Sequence, residues 1–348
     1  MGDRVAAVKR VISIAIAAAI TVVIVISTTT APSYAEEAHV STAQPFAKGD
    51  ILVAATVMDD PDDDHKGTGR ILQFDADLQP KGTLWIFDTT HKIGGLVFGP
   101  DGTLWGSAPI SWQVVEIGPD AKQKPMRKFA DRTFSSVTFG PDGSLYFGEH
   151  LIGSKTRISF NTTVFRYVPG SEVIGDGNIY KFSPDGKLLD VYETDTHGGM
   201  VGIHGVTRTV LTDGVDRMIY ISETGNRVMQ YDLANRRQLP DLADFAKVDG
   251  GPAMLLVMAQ MPNGDLVIGT GRSIVFLDQN TGKIIKETGF DRPGWAAVAP
   301  SIDAGHVLLG NFFDGEFIKL RVADGEVVAR GTIGEERSLS GIVQYSGK

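Results

Sequence analysis

The chain has no cysteine. Disulfides, thiol catalysis and lipid attachment through an N-terminal cysteine are excluded, while export is not, because a domain of this size needs no disulfide to build a core. It has no excess of base either. Its 33 Lys and Arg stand against 42 Asp and Glu, a net charge of −9. No stripe of cations is available to hold a phosphate backbone, so nucleic acid is not an expected partner. Long apolar runs are absent except for one, at Val11–Ser27.

That run has the layout of a secretory signal. Arg4, Lys9 and Arg10 precede it, and Ser33-Tyr34-Ala35 follows with small residues at −3 and −1. Residues 1–35 are therefore predicted to be a signal peptide cut before Glu36, and the mature protein to be secreted or periplasmic. The alternative is an uncleaved segment that anchors the protein in a membrane, since the run is near the lower limit for a span. Residues 36–48 are polar and read as a loose lead-in. Residues 49–348 are predicted to form one domain.

What is present in abundance is glycine, 41 in all, much of it in one recurring phrase. Residues 92–108 read KIGGLVFGPDGTLWGSA, and residues 133–150 read TFSSVTFGPDGSLYFGEH. Each is strand, Pro-Asp-Gly turn, strand. Pro presets φ, Asp bonds its own backbone and Gly takes the positive φ. Three strand types then recur along the chain. The first, rich in small residues, stands near 94, 135, 204, 253, 295 and 340. The second is DILVAA at 50, TLWGSA at 103, SLYFGE at 144, MIYISE at 218, DLVIGT at 265 and HVLLGN at 306. The third begins near 70, 113, 178, 227, 273 and 316, and a weaker fourth strand follows each. Six four-stranded units at a spacing of about 40 residues give the period of propeller blades. DILVAA lacks a first-type strand before it, and SGIVQYS at 340 lacks anything after it. The fold predicted is an all-β, six-bladed β-propeller whose ring is closed by strands from both termini.

In a propeller, the loops joining strand 2 to strand 3 and strand 4 to the next blade share one face. Two such loops are long, 57–69 and 151–177, and long loops on one side of a rigid scaffold are where function concentrates. His65, His91, His150, His197 and His204 are all assigned to that face, and His306 to the opposite one. Taken as the last residues of second-type strands, Glu149 and Glu223 fall at equivalent heights in adjacent blades. Glu149, His150, His204 and Glu223 are the candidate ligands of a divalent metal (Ca²⁺, Mg²⁺ or Zn²⁺), and His197 and His204 the candidate catalytic proton carriers. The acidic run Asp59–His65 lacks the spacing of an EF-hand and reads as a solvated loop.

Met218–Leu233, MIYISETGNRVMQYDL, resembles the repeat of NHL propellers. The GPDGTLW and GPDGSLY hairpins are similar to those of streptogramin lyase-like propellers, with gluconolactonase/regucalcin-like and strictosidine-synthase-like enzymes as wider relatives. The resemblance spans the mature chain and implies the six-bladed fold. In gluconolactonase-like enzymes a metal is held at the tops of inner strands. The corresponding residues here are Ser340, Gly94, Ser135, His204, Ala253 and Trp295, of which only His204 is a metal donor. The His/Glu metal arrangement of streptogramin lyase-like enzymes is nearer, with LYFGE (145–149) where LWFTE is usual. Two readings follow ahead of a third, a redox-cofactor propeller of the quinoprotein kind, which usually has more blades and a different tryptophan-docking repeat. One is an exported, metal-assisted lyase or hydrolase acting on a small ester, lactone or cyclic substrate. The other is a non-catalytic propeller that binds a protein, glycan or small ligand through its long loops. A monomer is expected in either case.

Overall fold

The structure is a computed structural model. It describes residues 39–60, 67–88, 94–108, 113–150, 177–195, 203–222, 225–248, 250–251 and 254–348, with His204 described by its backbone alone. The expectations for residues 1–38 and for His65, His91, His197, Glu223 and loop 151–176 lie outside the described residues. Two compact units are distinguished, residues 1–39 and residues 40–348, and the second carries every described strand. Among the described residues no helix is long and apolar enough to cross a membrane.

Antiparallel sheets follow one another as blades. Blade 1 holds β1 (Ile51–Met58), β2 (Gly67–Phe74) and β3 (Pro80–Trp85); blade 2 holds β4 (Gly94–Phe98), β5 (Leu104–Ala108) and β6 (Gln113–Ile117). Blade 3 holds β7 (Phe134–Phe139), β8 (Leu145–Glu149), β9 (Ile179–Phe182) and β10 (Leu188–Tyr192). Blade 4 holds β11 (Ile203–Val210), β12 (Asp216–Ser222), β13 (Arg227–Asp232) and the short β14 (Arg237–Gln238) and β15 (Ala243–Asp244). Blade 5 holds β16 (Val257–Gln260), β17 (Leu266–Gly269), β18 (Ser273–Leu277) and β19 (Ile284–Gly289). Blade 6 holds β20 (Trp295–Pro300), β21 (His306–Asn311), β22 (Glu316–Arg321) and β23 (Val327–Thr332).

The last strand, β24 (Gly341–Gln344), returns to blade 1 and pairs with β1, with Ile51 opposite Gln344 and Ala54 opposite Gly341. The sheets therefore run β24-β1-β2-β3 and so on around the ring, and the two termini close it as the strand bookkeeping requires. Inner strands β24, β4, β7, β11, β16 and β20 neighbour one another in that cyclic order. This is a six-bladed β-propeller.

Each second strand turns alternate residues toward opposite neighbours, so every blade junction has its own apolar cluster. Leu52 and Ala54 meet Leu104 and Ala108 between blades 1 and 2, while Ile51 and Val53 meet Leu308 and Phe317 between blades 6 and 1. The same arrangement recurs at the other four junctions. Trp295 and Phe134, at the starts of inner strands, are 3% and 4% exposed and belong to these clusters rather than to the channel mouth.

Three details depart from the sequence reading. Blade 2 is three-stranded, because Pro125 interrupts the fourth strand and only the isolated bridges Val114–Arg127 and Ile117–Gln123 remain. In blade 5 the first strand begins at Val257, later than its sequence suggests. Residues 41–48 are bonded to blades 1 and 2 and are not loose: Thr42 and Ala43 N–H both donate to Thr83 O, and Phe46 N–H donates to Pro119 O.

Two glycines mark how tightly the inner strands converge. Gly95 (φ +60°) and Gly205 (φ +61°) take equivalent places in the bulges that open β4 and β11. A Cβ on Gly95 would stand 2.1 Å from Ser135 O, and one on Gly205 2.5 Å from Met258 O. Both the dihedral and the space admit only glycine.

Candidate functional site

Of the five candidate residues, Glu149 and His150 are fully described. Both stand at the loop-face end of β8. The start of β11, Ile203 and His204, lies beside them: a Cβ on Gly148 would be 2.8 Å from Ile203 Cγ2. Ser135 Oγ ties the same place by donating to Ile203 O. The fold thus brings the start of β11 beside the end of β8, while the Glu149 side chain turns the other way, to Arg132 at the junction of blades 2 and 3.

Glu223 lies outside the described residues, but the register of the strand before it is described. Phe134 pairs with Glu149 and Ile203 pairs with Ser222, and both inner-strand residues face the preceding blade. The residue at Glu149's height in blade 4 is Ser222, and Glu223 comes one step later. A one-residue shift reverses the side of the sheet on which a side chain stands. The repeat unit that aligns with SLYFGE is therefore RMIYIS (217–222).

Glu149 is wholly buried. Its Oε2 accepts hydrogen bonds from Gly177 N–H at 2.9 Å and Asn178 N–H at 3.0 Å, and its Oε1 lies 3.1 Å from Arg132 Nε. Glu149 N–H in turn donates to Asn178 O. Thr194 Oγ1 donates to Gly177 O, and Thr133 Oγ1 to His150 O. The carboxylate therefore joins the two ends of the 151–176 insertion to each other and to the connection arriving from blade 2. Its neighbours in the column behave alike. Thr270 Oγ1 accepts from Ser273 N–H, and Asn311 Oδ1 accepts from Phe313 N–H while its Nδ2 donates to Pro293 O. These side chains satisfy backbone groups that turns leave without partners.

Arg132 belongs to a wider pattern that sequence reading missed. At four junctions the connection leaving one blade is ion-paired with a second or third strand, or the turn between them, in the next. The pairs are Arg132–Glu149, Asp195–Arg227 (3.6 Å), Arg292–Asp314 (3.0 Å) with Arg292–Glu316, and Glu335–Arg70. The sequence signal was present as Arg132 and Arg292, each two or three residues ahead of the aromatic that opens an inner strand.

Among the described residues, no three His, Asp or Glu side chains converge as a metal would need. Glu149, the one described carboxylate of the candidate set, already receives two N–H donors and a guanidinium. His306 lies on the opposite face, where its Nδ1 is 3.1 Å from Asp303.

The loop face also carries large apolar side chains in water. Phe87, Val248, Met254 and Phe313 are 58%, 45%, 38% and 52% exposed, from connections of blades 1, 4 and 5 and the strand 2–3 turn of blade 6. A cleft of about 160 Å³ opens between blades 5 and 6, walled by the Phe290 and Trp295 rings, whose centroids are 4.8 Å apart.

The sequence matches no family model and no curated protein. Solved structures do resemble the chain. A chain of the nidogen/laminin complex matches with a TM-score of 0.59 and 13% identity, over 86% of this chain and 100% of that one. A protein of unknown function from Bacteroides caccae matches with a TM-score of 0.57 and 12% identity, over 85% and 98%. A streptogramin B lyase structure matches with a TM-score of 0.47 and 14% identity, over 70% of each chain. At these identities the likeness of the first two is one of fold alone.

Proposed function

We propose that this protein is a recognition propeller of the extracytoplasmic space, which binds a protein partner on its loop face. The observation that carries the reading is the fate of Glu149. A carboxylate with no exposed surface, holding two backbone N–H groups and an arginine, is engaged in fixing a loop and is closed to a substrate. The same face exposes Phe87, Val248, Met254 and Phe313 on other blades, and exposed aromatic and methionine side chains are what interfaces bury. The nidogen/laminin chain offers a precedent for this fold within a protein complex.

The test is retention of a partner. Immobilised residues 36–348 are compared with a Phe87→Ser/Met254→Ser/Phe313→Ser variant against the extracytoplasmic fraction of the source cells. The proposal expects a partner held by the first and lost by the second. Equal retention by both overturns it.

A second reading rests on the start of β11, which carries His204, lying beside the end of β8, which carries His150. In that reading His150 and His204 would hold a divalent metal, which would supply Lewis-acid chemistry at the carbonyl of a small lactone, ester or cyclic substrate, and His197 or His204 would move the proton. It requires stoichiometric metal in the purified protein and turnover that falls in the His204→Ala variant.

A further inference from the structure

Residues 41–48 contain no strand, yet their polar groups are spoken for in sequence. Ser41 Oγ accepts from Trp85 N–H at 3.0 Å, and Thr42 Oγ1 accepts from Thr83 N–H at 3.1 Å. Thr42 and Ala43 N–H answer by donating to Thr83 O. The outer edge of β3 is thereby covered, which edge strands of a sheet require. Gln44 and Gln73 form a reciprocal pair: Gln44 N–H donates to Gln73 Oε1 and Gln73 Nε2 donates to Gln44 O. Gln73 Nε2 also reaches the buried Asp50, which holds Lys81 Nζ at 2.7 Å and Ala47 N–H at 2.9 Å. Phe46 then crosses to blade 2. Its N–H donates to Pro119 O, and its ring packs on Phe98 and Tyr345 with centroids 5.8 Å away from each.

We propose that residues 41–48 are an inter-blade staple, a working part of ring closure and not a leader. It runs from the loop-face end of β3 to the opposite face, and there it joins blade 1, blade 2 and the C-terminal residues in one contact. At the junction of blades 1 and 2 the staple itself is a tie, bonded to Thr83 and Trp85 of blade 1 and to Pro119 of blade 2. Gly82 records its seat. A Cβ there would stand 2.5 Å from Thr42 O, although the backbone of Gly82 is not in the left-handed region. Alanine at 82 is thus compatible with β3 but not with the staple.

Amide exchange read by mass spectrometry on residues 36–348 tests this without any variant. The peptide covering Thr42 to Phe46 is expected to exchange at least about tenfold more slowly than an unstructured chain. Gly82→Ala is expected to remove that protection, raise exchange at Thr83 and Trp85, and lower Tm by about 3 °C or more. Phe46→Ala is expected to do the same for Tm while leaving Thr83 protected. Exchange of Thr42, Ala43 and Phe46 at unstructured rates in the unaltered protein overturns the proposal. So does a Gly82→Ala or Phe46→Ala protein with unchanged Tm.

Discussion

Arg132 and Glu149 meet across the junction of blades 2 and 3, with Nε 3.1 Å from Oε1 and the carboxylate wholly buried. The pair anchors both ends of a 26-residue insertion (151–176) to the rigid ring. Removing one partner of such a pair leaves a buried charge alone, which costs about 3–5 kcal/mol when both are fully buried. Arg132 is one-third exposed, so Arg132→Ala is expected to cost about 2–3 kcal/mol in urea unfolding. Glu149→Gln keeps an acceptor for Gly177 and Asn178 N–H and is expected to cost less, about 1–2 kcal/mol. Equal stability of all three proteins would contradict the clamp.

Gly95 and Gly205 should be the least tolerant glycines of the inner ring. Gly95→Ala places a methyl 2.1 Å from a backbone oxygen at a positive φ, and Gly205→Ala repeats the fault at 2.5 Å. Strain and overpacking together are expected to exceed about 2 kcal/mol for each. Thermal unfolding measures this. Gly214→Ala, where the φ is also positive but nothing lies within 4 Å, isolates the dihedral contribution and should be milder.

Acid should weaken the face opposite the loops. The hydrogen bond from Ser144, with smaller help from Lys181, holds Asp142 at about 2. Burial pushes Asp303 upward, but its bonds to His306 and Lys319 outweigh that and hold it at about 2 as well. A carboxylate depressed in the folded state stabilises above its unfolded pKa near 4, and that stability is lost as pH falls toward 2. Tm is therefore expected to be level from pH 7 to about pH 5 and to fall below it. Asp142→Asn/Asp303→Asn should lower Tm at pH 7 and flatten the acid limb. An unchanged acid limb would assign the loss to other groups.

The recognition face should be separable from stability. Phe87 is 58% exposed and Phe313 52%, with the Phe313 ring edge-on to Phe312, so Phe87→Ser and Phe313→Ser are expected to cost no more than about 0.5 and 1 kcal/mol respectively. Loss of partner retention at unchanged Tm is the expected signature. A fall in Tm matching the fall in retention would mean that these rings support the fold instead.

The ring was legible because its signals are local. The Pro-Asp-Gly turns, the alternation in strands such as LYF and the unpaired first and last strands suffice to count blades and predict closure. Contacts between blades were not legible, because no local pattern encodes them. MIYISE matches SLYFGE by its final glutamate, yet pairing of Ile203 with Ser222 sets the register one residue away. Residues 41–48 look like tail because they are polar and contain Pro45, but they bond through backbone groups that every sequence carries. Arg132 was passed over for the same reason: its partner is 17 residues downstream on a different blade element, and neither residue reveals the other.

The most direct measurement is elemental analysis of purified residues 36–348 beside the His197→Ala/His204→Ala variant. A recognition propeller should carry no stoichiometric divalent metal in either protein. One equivalent of calcium, magnesium or zinc in the first, lost in the second, would contradict that reading and meet the first of the two requirements of the metal-assisted enzyme.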